Sequence, residues 1–265
     1  MLLAHVLGKT RSWVLAHPEV GLTPVQEGDL ERAVRRLEGG VPLPYVLGKW
    51  EFFGLEFEVT PEVLIPRPET ELLVERALAW LRESGVVSRE SGVMGTCEVK
   101  VLDIGAGCGC IAIALAVHAP GLEVIATDIS PAALAVARRN AVKHAVAERV
   151  TFLEADLFHP FQPPNSFPFI TANLPYIPTA KLHRLPIYGR EPTIALDGGA
   201  DGLALIRRLL ADAPCYLAPD GLMLLEIEAS QGEEVYSLAH QAFPLAKIGL
   251  QKDLSGHDRL VEIAL

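Results

Sequence analysis

Asp103, Gly105, Gly107 and Gly109 fall in the run VLDIGAGCGC, an acid placed ahead of three glycines spaced G-x-G-x-G. Glycines let backbone N–H groups come close to a ligand, and Ala106 and Cys108 keep the intervening positions small. The spacing differs from the G-x-G-x-x-G of dinucleotide pyrophosphate loops. A carboxylate beside such a loop would repel a pyrophosphate and attract an ammonium or sulfonium group. Two further acids follow in register: Asp128 in VIATDIS and Asp156 in LEADLF. Helix capping is the alternative reading of any one aspartate taken singly. Three acids at three successive strand ends, with a glycine loop at the first, instead outline a nucleoside carrying both cationic groups, S-adenosylmethionine. Asp103 would face its positive end, Asp128 its paired ribose hydroxyls and Asp156 its adenine amino group, with Leu157 packing on the ring.

The stretch TANLPYIP adds a second kind of chemistry. In isolation Asn173-Leu174-Pro175-Tyr176 is loop punctuation with a tyrosine over the core. Beside a methyl donor it becomes a clamp for a planar NH₂ group, whose delocalised lone pair makes it a poor nucleophile. The Asn173 side-chain oxygen and the Leu174 backbone carbonyl can each accept one N–H, turning the lone pair toward the methyl group. Tyr176 would stack on the flat group, and Pro175 would keep the turn rigid. No strong general base is needed, because the nitrogen loses a proton readily once it carries positive charge. An amide and an exocyclic amine both fit this clamp.

The surrounding sequence supplies the elements that must hold these residues. From Thr70, ELLVERALAWLRES reads as an amphipathic helix started by Thr70. Beyond a Gly/Ser-rich connector, GVVSRESGVMGT, strands and helices alternate: VKVLDIG, IAIALAVHA, LEVIATD, PAALAVARRNAVKHA, VTFLEAD, FPFITAN, GLALIRRLLADAPCYL, GLMLLEIE and QGEEVYSLAHQAF. This predicts an α/β fold, a doubly wound, mostly parallel sheet covered on both faces. The closing LAKIGLQKD and RLVEIAL predict a hairpin that leaves one antiparallel strand. Upstream, WEFFGLEFEV reads as a β-hairpin, and residues 1 to about 40 as helices too few for a core of their own. The expected organisation is therefore a helical module over 1–44, a hairpin and linker over 45–69, and the sheet domain over 70–265.

The chain has 265 residues, half of them hydrophobic, and a formal net charge of −10. That balance argues against non-specific coating of phosphate backbones, so no stable nucleic-acid partner is expected. Cys97, Cys108, Cys110 and Cys215 lack zinc spacing and are too few for a disulfide scaffold; no metal is expected, and Cys108 and Cys110 read as small loop residues. No signal-peptide core and no membrane-length apolar run is evident, so the expected compartment is the cytoplasm.

Four segments carry a resemblance to a known family. They are GGVPLPYVLGKWEFFGLEFEVTPEVLIPRPETELLVE (39–75), DIGAGCGCIAIALA (103–116), EPTIALDGGADGL (191–203) and KDLSGHDRLVE (252–262). With NLPY between them, the chain resembles the glutamine methyltransferases that act on peptide chain release factors, the PrmC or HemK family, within the class I methyltransferases. NLPY alone also occurs in rRNA adenine dimethyltransferases, which leaves a nucleic-acid adenine methyltransferase, or a non-catalytic cofactor-binding module, as the alternatives. The resemblance implies a seven-stranded sheet and methylation of the glutamine side-chain amide in the Gly-Gly-Gln motif of class 1 release factors, with S-adenosylhomocysteine as co-product. It implies cofactor contacts from the loop Gly105 to Gly109 and from Asp128, Asp156 and Leu157. Asn173 through Tyr176 would hold the glutamine amide, and Arg67 would lie close to the site. Two departures stand out: Leu174 replaces the family's usual proline, and the N-terminal module is shorter than usual.

Overall fold

The computed structural model describes residues 1–84, 99–163 and 166–265. The expected connector over 85–96 and Cys97 lie outside the described residues.

The N-terminal segment is helical as expected: α1 (Leu2–Leu7), α2 (Arg11–Ala16), α3 (Pro24–Glu38) and α4 (Leu43–Leu47). Helix α3 starts at Pro24, ahead of the predicted GDLERAVRRLE run, because TPVQ forms a capping box. Gln26 N–H donates to Thr23 Oγ1 at 3.3 Å and Thr23 N–H donates to Gln26 Oε1 at 2.9 Å. Helix α4 runs across residues 44 and 45, so the hairpin is entered directly from a helix.

The hairpin pairs β1 (Lys49–Phe52) with β2 (Leu55–Glu58). Its two-residue turn has positive φ at both Phe53 (51°) and Gly54 (71°), the twist that matches antiparallel strands. Phe53 tolerates this because its N–H donates to Glu71 Oε1 at 2.8 Å and its ring packs edge-on to His118. Phe52 and Phe57 are buried in the main core.

Seven strands follow: β3 (Val99–Ile104), β4 (Leu122–Asp128), β5 (Val150–Glu154), β6 (Phe167–Ala172), β7 (Leu217–Glu226), β8 (Lys247–Lys252) and β9 (Asp258–Ala264). Their order is β5-β4-β3-β6-β7-β9-β8, with β9 antiparallel to both neighbours and the other pairings parallel. The predicted single antiparallel strand is β9. The period-two side-chain alternation puts Val101 and Phe169 in one core, with α5 (Glu71–Glu83) and α6 (Cys110–His118), and Leu102 and Ile170 in another, with α9 (Ala204–Asp212) and α10 (Gly232–Ala242), which follow the single-turn α8 (Thr179–Leu182). Helix α7 (Pro131–Lys143) covers the β4–β5 side.

The chain winds outward from β3 through β4 to β5, then returns to lay β6 on the opposite side of β3. That reversal is a topological switch point, where a crevice opens beyond the strand ends.

Candidate active site

Ile104 ends β3 directly opposite Ala172, which ends β6, so Gly105 and Asn173 leave the sheet side by side. A side chain on Gly105 would come within 3.2 Å of the Asn173 carbonyl, so the glycine sets how closely the two loops approach. Gly105 (φ 83°), Gly107 (φ 54°) and Gly109 (φ 83°) are all left-handed. Their surroundings differ in an instructive way. A Cβ on Gly109 would strike Ile113 and Ala137 of the packed helices at 2.9 and 3.2 Å, whereas one on Gly107 would meet nothing within 4 Å. Gly109 is required by packing and Gly107 opens onto the crevice.

That crevice is a cleft of about 670 Å³ lined by Gly105, Gly107, Asp128, Asp156 and Leu157 on one side and Asn173, Leu174 and Pro175 on the other. Asp103, Ala106, Cys108, Gly109 and Tyr176 stand behind this lining. Ala106 N–H is tied to the Thr127 carbonyl at 2.8 Å, and the Cys108 carbonyl accepts from Asn140 Nδ2 at 2.9 Å. The Cys110 thiol is pushed up by its hydrogen bond with Cys108 and by burial, which disfavours a thiolate. Among the described residues no cluster of His, Cys, Asp and Glu could hold a metal.

The three acids occupy different environments. Asp103 is fully buried, its Oδ1 accepting from the Thr171 hydroxyl at 2.8 Å while Oδ2 has no partner. Burial pushes its carboxyl up to about 7, partly offset by the hydrogen bond from Thr171. Asp128 accepts from Gly107 N–H and from Ser130 N–H, both at 2.8 Å, and so pins the glycine loop; Ser130, not Asp128, caps α7. Burial raises the Asp128 carboxyl, partly offset by those bonds. Asp156 is exposed and ion-paired to Arg208 Nη2 at 2.8 Å, a cleft residue that sequence spacing did not bring forward. Leu157 lies buried beside it with φ 54°, an uncommon conformation for a leucine.

On the β6 side, Leu174 points its side chain into the core shared with Ile104 and Ile170, and is 4% exposed. Asn173 Nδ2 donates to the Thr70 hydroxyl at 3.1 Å. Thr70 therefore does not act as the expected side-chain cap: it sits in a 3₁₀ turn, Pro68–Thr70, with helical φ and ψ, ahead of α5. Tyr176 donates through its hydroxyl to Glu226 Oε1 at 3.3 Å, and its phenol is pushed up by burial and by the Glu226 charge. Its carbonyl accepts from Gln231 Nε2 at 2.9 Å. A Cβ on Gly202 would lie 2.3 Å from that same carbonyl, so the GGADGL loop must be glycine there to brace Tyr176.

Two family models match the chain: one described as the PrmC N-terminal domain over residues 1–48, and one described as a methyltransferase domain over residues 101–185. A release factor glutamine methyltransferase of Moorella thermoacetica is 42% identical over 98% of this chain and 87% of its own length. The chain belongs to the release factor glutamine methyltransferase family. The enzyme of that name from Bordetella pertussis is 39% identical over 98% of this chain and 91% of its own length. A solved methyltransferase from Pyrococcus furiosus, 18% identical, superimposes with a TM-score of 0.55 over 80% of this chain and 89% of its own, which shows the fold alone. Membership makes sense of the two signature segments IPRPET and EPTIALDGGADGL, which meet in space. Glu191, buried, pairs with Arg67 Nη2 at 2.5 Å and accepts from Ile65 N–H at 3.2 Å. Arg67 thus anchors the loop that carries Thr70.

Proposed function

We propose that this protein transfers a methyl group from S-adenosylmethionine to the side-chain amide nitrogen of the glutamine in the Gly-Gly-Gln motif of class 1 peptide chain release factors. The observation that carries the reading is the orientation of Asn173: its Nδ2 is committed to Thr70, which leaves Oδ1 as the acceptor for an incoming NH₂ group. A site that accepts both amide hydrogens, from Asn173 Oδ1 and the Leu174 carbonyl, favours the lone pair in the attitude needed for in-line attack. Leucine supplies that carbonyl as well as proline would, and its buried side chain gives the turn a rigidity that proline would otherwise supply.

The cleft suits the cofactor. The open face of Gly107 leaves room for close approach, Asp128 keeps lone pairs free beyond its two loop bonds, and Asp103, with an unpartnered buried Oδ2, places negative charge behind that wall. When bound, S-adenosylmethionine supplies an electrophilic methyl on a sulfonium. Gly105, Ala106, Gly107, Cys108 and Gly109 would shape its cradle, Asp128 would hold the ribose, and Asp156 with Leu157 the adenine. Tyr176, braced by Gln231 and Glu226, would flank the substrate amide. In this reading residues 1–44 recognise the release factor, 45–69 connect, and 70–265 carry out the transfer in the cytoplasm, without a stable nucleic-acid partner.

Incubation with S-adenosylmethionine and a class 1 release factor, followed by mass spectrometry of the Gly-Gly-Gln peptide, tests this. One added methyl on the glutamine side chain is expected; methyl incorporation into RNA or DNA instead would overturn it.

A further inference from the structure

A second cavity, of about 360 Å³, adjoins the cleft along two stretches of chain. On one stretch residues 62–64 line the cleft and 65–68 the cavity; on the other, 193–195 line the cleft, and Arg190 and Glu191 the cavity. Its walls are apolar: Trp50 from the hairpin, Ile65, Ile187 and five prolines drawn from three separate segments. Proline has little conformational freedom to lose, so such walls meet a guest already ordered.

Three charged groups line the cavity: Arg67, Arg190 and Glu191. Glu191 has both oxygens committed, Oε1 to Arg67 Nη2 at 2.5 Å and Oε2 to Ile65 N–H at 3.2 Å. The charge of Arg190 is left unbalanced, for its guanidinium has no hydrogen bond and no ion pair among the described residues. Arg190 is nevertheless held in place. Its backbone N–H closes a turn to the Ile187 carbonyl at 3.0 Å, and its guanidinium packs on the bare backbone of Gly40, where a Cβ would lie 3.2 Å from Cζ.

A guanidinium offers a fork of N–H donors that fits a carboxylate, and apolar walls suit the methylene stem that carries one. The chain as a whole has a formal net charge of −10, so an acidic partner group is repelled in general and drawn in at this cavity. Such a contact sets register as well as attraction. Four extended residues span only about 13 Å, so a protein whose side chain fills the cleft covers the adjoining cavity too.

We propose that this cavity takes an aspartate or glutamate side chain of the release factor, presented beside its glutamine loop and paired with Arg190. The proposal rests on the function given above and specifies a second contact with the same protein substrate. Trp50 in the cavity wall supplies a readout that needs no turnover. In the full-length protein loaded with S-adenosylhomocysteine, a class 1 release factor is expected to shift the tryptophan emission, and Trp50→Phe to abolish the shift. Arg190→Ala is expected to raise the release factor concentration at half-saturation, and KM in the methyl-transfer assay, roughly 10–100-fold, the scale of one lost charge-assisted hydrogen bond. Its kcat and S-adenosylhomocysteine affinity should be unchanged. Arg190→Glu is expected to weaken binding further, and one Asp→Lys or Glu→Lys substitution on the release factor to restore it.

A wild-type KM and emission shift in Arg190→Ala would overturn the proposal. So would failure of every acid-to-lysine exchange to rescue Arg190→Glu, or a dimer of this chain that Arg190→Ala dissociates, which would seat a second copy in the cavity. A wild type that binds the release factor in an Arg190-dependent way yet adds no methyl to its glutamine would instead sink the proposed reaction and leave the docking site standing.

Discussion

Asn173 and Asp128 sit on opposite walls of one cleft, and their substitutions should separate cleanly. Asn173→Ala removes the oriented acceptor, so turnover is expected to fall roughly 10²–10³-fold, the range seen when one preorganised polar group is lost. Cofactor affinity should hold, as titration calorimetry with S-adenosylhomocysteine would read. Asp128→Ala loses the bonds to Gly107 and Ser130 as well as any ligand contact, so cofactor affinity should weaken roughly 10–100-fold. Normal turnover in Asn173→Ala would end the clamp mechanism. At this scale the sequence exposed Gly105, Gly107, Asp128, Asp156, Leu157 and Asn173 to Pro175 of the cleft lining, because glycine, acid and NLPY are local patterns. It hid Thr70, Glu226, Gln231 and Arg208, whose partners lie 103, 50, 55 and 52 positions away. Thr70 eludes a local reading for the same reason: a threonine ahead of acids looks like a cap until its distant partner is known.

The hairpin and the cofactor loop are joined by one side chain of α7. Asn140, fully buried, accepts from Glu58 N–H at 2.7 Å and donates to the carbonyls of Glu58 and Cys108 at 3.0 and 2.9 Å. Asn140→Ala would leave three backbone groups without partners, and is expected to cost about 2–4 kcal/mol in urea unfolding. Because one of those groups belongs to the glycine loop, S-adenosylhomocysteine affinity should fall with it; a variant as stable as the wild type would refute the staple. The exposed pairs beside it, Arg139 with Glu58 and Lys143 with Glu56, add little by comparison. Element order and type were readable from periodicity, including the lone antiparallel β9. Readable only in part was the start of α3, since its cap precedes the apolar run, and the sheet order could not be fixed by pattern alone.

Across the whole molecule, Asp103 and Glu226 stand apart from the other acids, buried and raised to about 7. A carboxyl whose folded value lies above its unfolded value stabilises the fold below the unfolded value, and that contribution is lost as pH rises through the folded one. Stability should therefore decline between about pH 4 and pH 7, by on the order of 3 kcal/mol for each group. The pairs at Asp201 and Asp253, held near 2, oppose this only in stronger acid. Urea midpoints across that window should flatten in Asp103→Asn; an equally steep wild-type and variant profile would contradict the burial argument. The Arg67–Glu191 pair has a consequence for inheritance. Its members come from signature segments 124 residues apart, and replacing the Arg67 segment alone would strand the buried Glu191 carboxylate at a cost of roughly 3–5 kcal/mol. A recombinant with its crossover between those segments is expected to keep full stability when donor and recipient carry the same two partners, which ties the two segments together as one unit of exchange.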